Sequence, residues 1–133
     1  MFRWIFVSIF LFAATLPATA KTHSVTVPAN RTSAVLSFHL YIEANCYYPS
    51  DVKSDVTRQG EHGTIKVVYK RLKIPDEART RCAGQTAGAL IVTYTPKRGY
   101  RGEDSARIVF RYPRYEGAIR TKSDILNLKI TVK

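Results

Sequence analysis

Few residues of this chain have the types and spacing that catalytic chemistry needs. Catalysis calls for a nucleophile beside its base, a pair of facing carboxylates or a metal set. The three histidines are too scattered to belong to one: His23 stands near the expected mature N-terminus, His39 in an alternating segment, and His62 in a Gly60-Glu61-His62-Gly63 turn. None has metal-ligand spacing to another histidine or to a cysteine. Cys46 and Cys82 do not form a Cys-x-x-Cys pair, which argues against redox chemistry, and two cysteines alone are too few ligands for a structural metal. The sequence therefore predicts a non-enzymatic protein and implies no cofactor. More is offered by Arg79, Arg81, Arg114 and Arg120, together with Tyr47, Tyr48 and Tyr115. Arginine forks onto phosphate, carboxylate or sulfate, and tyrosine adds a flat apolar face with a hydroxyl, so the combination suits anion recognition.

Charge and export signals set the context for those residues. Residues 1–20 read as a signal peptide: Arg3 gives a positive charge, Trp4 to Phe12 form a mostly apolar run, and Ala18-Thr19-Ala20 fits a small-residue cleavage site. That run is shorter than the ~20 residues a spanning helix needs, so the mature chain, starting near Lys21, is expected to have no membrane span. Its 113 residues (133 less 20) suffice for one domain over 21–133. Loss of Arg3 leaves 20 basic against 10 acidic residues, a net charge of +10. Such a balance favours polyanions through long-range attraction that salt screens: anionic glycans, lipid headgroups or acidic proteins, with nucleic acid admitted but not favoured. Export also favours a structural disulfide between Cys46 and Cys82.

The elements that must position these residues are strands. Val25 and Val27 alternate with Ser24 and Thr26 before Pro28; Leu36, Phe38, Leu40 and Ile42 define an inward face, with Ser37, His39 and Tyr41 opposite. Glu43 to Gln59 is less patterned and should hide one short strand. Ile65, Val67 and Tyr69 then alternate with Thr64, Lys66, Val68 and Lys70, and Pro75 to Arg79 has the composition of one helical turn. Leu90, Val92 and Tyr94 share a face that Pro96 ends. Ala106, Ile108, Phe110 and Tyr112 share the next, and Leu126, Leu128, Ile130 and Val132 the last. Pro113 to Gly117 reads as a turn. The sum is an all-β fold: an Ig-like, two-sheet antiparallel sandwich of about seven strands with one disulfide.

The order His62-Gly63-Thr64-Ile65, Val92-Thr93-Tyr94-Thr95-Pro96, Gly99-Tyr100-Arg101-Gly102-Glu103-Asp104-Ser105 and Leu128-Lys129-Ile130-Thr131-Val132 resembles the bacterial Ig-like (cadherin-like) domains that occur as tandem repeats in cell-surface proteins. The resemblance covers about residues 60 to 132. The chain departs from that family in being a single copy, in its cysteine pair, and in Ala106-Arg107 where an aromatic often follows Asp-Ser. The resemblance implies that the strands at 34–42 and 64–70 lie parallel in one sheet with the strand at 89–95 between them. Both cysteines then follow strand exits at one pole. The same pole gathers the loops 43–58, 71–88 and 112–123, and with them Lys53, Arg71, Lys73, Arg111 and Lys122 beside the arginines and tyrosines named above. Related domains hold Ca²⁺ in acidic loops, yet Lys97, Arg98 and Arg101 crowd Glu103-Asp104 and repel a divalent cation. Asp104 is expected instead to cap backbone N–H groups. Two function classes follow: an exported, periplasmic or extracellular binding domain using the Arg/Tyr pole, or a structural domain that contacts another envelope protein through a sheet edge.

Overall fold

The computed structural model describes residues 20–48, 52–115 and 117–133; the expected signal peptide lies outside the described residues, Ala20 excepted. Seven strands form: β1 (Lys21–Val27), β2 (Ser33–Leu40), β3 (Lys53–Arg58), β4 (Gly63–Lys73), β5 (Thr86–Pro96), β6 (Gly102–Pro113) and β7 (Thr121–Val132). They make a four-stranded sheet in the order β1-β7-β6-β3 and a three-stranded sheet in the order β2-β5-β4. No helix among the described residues is long and apolar enough to cross a membrane.

Alternation in the long strands builds the core, because successive side chains of a strand point to opposite faces. Leu90, Val92 and Tyr94 of β5 meet Ala106, Ile108 and Phe110 of β6 and Leu126, Leu128, Ile130 and Val132 of β7, with Val27, Val35 and Ile65 closing the cluster. Phe38 and Phe110 stand edge to face across the two sheets at 5.3 Å. β5 separates β2 from β4 and is antiparallel to both, so β2 and β4 run parallel, the arrangement that the resemblance implied. β3 is the short strand expected inside Glu43–Gln59.

Three local readings are corrected. β1 pairs with β7 in parallel, Lys21 beside Leu126 and Val27 beside Val132, so the sandwich is not purely antiparallel. An antiparallel β1 would finish about 20 Å along the sheet from where β2 begins, and the six Cα steps from Val27 to Ser33 reach about 20–22 Å only when fully extended, leaving nothing for the crossing between sheets. β2 shifts register between Ala34 and Leu36, which sends Val35 into the core and leaves Leu36, Phe38 and Leu40 half-buried against it. Residues 75–79 form a single turn closed by Ala78 N–H donating to Pro75 O at 3.1 Å, with no helix assigned.

One buried carboxylate joins the two sheets. Asp104 of β6 accepts from Tyr94 Oη–H of β5 at 2.7 Å, from Glu61 N–H at 2.9 Å, from His62 N–H at 3.0 Å and from Ser105 N–H at 2.9 Å. A carboxylate has about four lone-pair sites, so both oxygens are fully engaged and neither is left for a cation. Gly60 and Gly63 let the turn wrap this closely, since a Cβ at Gly60 would strike the Asp104 carboxylate and one at Gly63 the Tyr94 ring. Gly102 holds φ at 135°, a region closed to side-chain-bearing residues, and so starts β6 at the angle that aims Asp104 inward. His62 stacks on Tyr100 at 4.1 Å over the same turn.

Burial, then the hydrogen bond to Asp104, pushes the Tyr94 phenol well above its ordinary 10.0. A group whose folded pKa is raised keeps its stabilising contribution below the unfolded pKa and loses it as pH rises beyond that value. Stability should thus fall with pH above 10, and Tyr94→Phe should flatten that alkaline slope in urea unfolding while costing about 1–3 kcal/mol at neutral pH. Asp104→Asn places an NH₂ against N–H donors and should cost at least as much.

Candidate anion-binding pole

The described residues of three connections, 41–48 with 52, 74–85, and 114–115 with 117–120, all lie at one end of the sandwich, because β2 and β4 exit there while β5, β3 and β7 start there and β6 ends there. Cys46 and Cys82 are bonded, with Cα atoms 5.5 Å apart, and tie the first connection to the second. Around the bridge, Ile74, Cys82 and Ala87 form a second small core against which Tyr41, Cys46, Tyr48 and Ala78 pack. Ile42 and Tyr47 pair across the 42–47 turn, and Tyr47 N–H donates to Asn45 Oδ1 at 3.0 Å. The first two connections are therefore held by covalent and hydrophobic contacts from below, whereas in the third Ala118 N–H donates to Tyr115 O at 3.0 Å.

The expected site residues divide by what they touch. Tyr47 and Tyr48 are half-buried, and the Arg71 guanidinium sits 5.0 Å over the Tyr48 ring, a cation–π contact that fixes both. They support the loops rather than project from them. Tyr115, by contrast, is 62% exposed. Arg79, Arg81, Arg114 and Arg120 are exposed too, and none has an ion-pair partner among the described residues.

Neighbouring cations are compensated. Lys73 pairs with Asp76 at 2.8 Å, Arg111 with Asp55, and Lys122 with Asp124 at 3.6 Å. Tyr112 donates to Asp124 as well, which adds to burial in pushing its phenol up. The pole's described aspartates are thus committed to Lys73, Arg111 and Lys122. None of those aspartates pairs with the four arginines; Glu43 and Glu77 stand exposed in the same connections without an ion pair among the described residues.

Tyr69, which shares the alternation of Ile65 and Val67, belongs to this neighbourhood. It is 38% exposed, and its ring and hydroxyl cover Gly88 on β5 so closely that a Cβ there would collide with them. A glycine inside an otherwise apolar strand is the signal for such an approach.

The histidines do structural work: His23 Nε2 lies 3.1 Å from Val35 O, bridging β1 to β2, and His62 stacks on Tyr100. Among the described residues no three metal-capable side chains come together. A depression of about 390 Å³ lies at the opposite end, beside Glu61, Glu103 and Asp104.

No protein-family model matches the chain, and no curated protein matches it. Among solved structures, the chain is similar to the solution structure of Amebosin, at 15% identity and a TM-score of 0.42 over 87% of this chain and 100% of that one. Nothing about this chain is drawn from so distant a likeness.

Closing a loop of 36 residues should stabilise the domain by about 4 kcal/mol on the chain-entropy account. Cys46→Ala with Cys82→Ala should lower stability by roughly that amount in urea unfolding. Peptide mapping without reductant should recover the two cysteines in one linked fragment.

Proposed function

We propose that this chain is an exported, non-enzymatic binding domain that recognises an anionic envelope or host component through the loops at its disulfide pole. The observation that carries this reading is a cluster of exposed cations at that pole. Arg79, Arg81, Arg114 and Arg120 stand exposed at the same end as Tyr115 without an ion-pair partner among the described residues, while Asp55, Asp76 and Asp124 go to Arg111, Lys73 and Lys122. An exposed guanidinium without a carboxylate partner keeps its donors available for a carboxylate, phosphate or sulfate. Anionic glycans, lipid headgroups and acidic proteins all present those groups. Loops at one end of a rigid sandwich are where such folds place binding, since sequence change there leaves the core intact.

Export is supported by the signal-like residues 1–20 and by a disulfide, a bond that persists in oxidising compartments. The likeness of residues 60–132 to bacterial Ig-like surface domains supports an envelope setting. A second reading, a structural domain docking on another envelope protein, is favoured by one feature. β4 is an edge strand with Val68 41% and Leu72 36% exposed.

Arrays of glycans and lipids at physiological salt separate the two readings. The pole reading expects selective anionic hits. Arg114→Ala with Tyr115→Ala should abolish them while leaving stability within about 0.5 kcal/mol. Lys66→Ala with Lys70→Ala, which removes two charges from the sheet face, should weaken binding far less. Equal losses from the two double variants would mean diffuse attraction and would sink the localised site.

A further inference from the structure

The outer face of the four-stranded sheet carries two arginines that the pole does not use. β3 and β6 register with Val56 opposite Ile108 and Arg58 opposite Arg107, leaving Thr57 as the extra residue of a β-bulge. Under unbroken alternation Thr57 would face Arg107, and Arg58 would point into the core beside Ala106. The bulge turns Arg58 onto the exposed face beside Arg107. Thr57 Oγ1–H donates to Arg107 O at 3.4 Å and fastens the bulge to β6.

Like charges directly opposite each other on neighbouring strands repel. Here both are tethered by neutral acceptors: Arg58 Nη2–H donates to Ser105 Oγ at 3.3 Å, and Arg107 Nε–H donates to Asn127 Oδ1 at 2.8 Å. No carboxylate pairs with either among the described residues. Asp55 of β3 goes to Arg111. Glu103, the next β6 carboxylate of that face, is four residues from Arg107, about 13 Å along the strand, and two from Ser105. Lys129, opposite Ser105 on β7, adds a third cation at the edge of the depression that Glu61 and Glu103 line.

We infer that Arg58 and Arg107, with Lys129 alongside, form a binding site for a tetrahedral oxyanion, a phosphate or sulfate group, on the sheet face away from the pole loops. Each guanidinium gives one of its five N–H groups to its tether and keeps the others for a ligand. A carboxylate satisfies one arginine fork with two coplanar oxygens, whereas a tetrahedral dianion presents oxygens to two forks and an ammonium at once. An anion in this position also removes the repulsion between the paired arginines, so occupancy and stability are linked.

Thermal unfolding of the full described domain at constant ionic strength, with chloride exchanged for inorganic phosphate, tests the site. The wild type should gain about 5 °C as the site fills. R58Q with R107Q should lose that gain, and R107K, which keeps the charge but not the fork, should retain only part of it. The pole variant Arg114→Ala with Tyr115→Ala should respond like the wild type, which separates this site from the proposed function. Co-sedimentation with vesicles containing phosphatidic acid supplies the second source: a loss confined to the vesicle arm in R58Q/R107Q assigns the group to a lipid surface, and a loss in the inorganic phosphate arm assigns it to the small ion. Equal responses of wild type and R58Q/R107Q in both arms would overturn the site.

Discussion

A single buried carboxylate sets the geometry on which the rest of the sandwich depends. Asp104 leaves β6, receives the Tyr94 hydroxyl from the opposite sheet, and gathers the N–H groups of Glu61 and His62 from the turn that feeds β4. An ionised group in a low-dielectric site is tolerated only when hydrogen bonds replace its hydration, and four donors do so here. The same four bonds fix the distance between the sheets at this end, the entry of β4, and the start of β6 after Gly102. Aimed elsewhere, the carboxylate would leave the buried Tyr94 hydroxyl and two part-buried backbone N–H groups without this acceptor.

The opposite end is closed by different physics. There the connections are long, and the Cys46–Cys82 bridge with the small cluster around Ile74 and Ala87 holds them. One end of the molecule is therefore pinned by a hydrogen-bonded carboxylate, the other by a disulfide and a small apolar cluster. The cations differ in their partners. Lys73, Arg111 and Lys122 have aspartates, whereas the four exposed arginines of the pole, and Arg58 with Arg107 on the sheet, lack them among the described residues.

Much of this architecture is legible in the residue order. Period-two alternation marks β1, β2, β4, β5, β6 and β7, the disulfide follows from two cysteines in an exported chain, and the capping role of Asp104 follows from a carboxylate crowded by lysine and arginine. Other features leave no trace in a binary pattern. The parallel pairing of β1 depends on where β2 must begin. The register shifts at Ala34/Leu36 and Val56/Arg58 each change which face a side chain takes, so strict alternation places Val35 outward and Arg58 inward, opposite to where they lie. Tyr47 and Tyr48 have the composition of a binding loop, but the turn closed at Ile42 and the Arg71 contact bind them to the protein itself. For the pole, sequence located the arginines and only geometry showed which of them have no aspartate.

The central claim is that uncompensated arginines, rather than overall basic charge, carry recognition. Titration of the ¹⁵N-labelled domain with a sulfated polysaccharide at physiological salt, followed through arginine Nε–H resonances, tests it most directly. The account predicts the largest shifts at Arg79, Arg81, Arg114 and Arg120 at the pole and at Arg58 and Arg107 on the sheet, with Arg111, paired to Asp55, unmoved. A shift at Arg111 as large as theirs would contradict it.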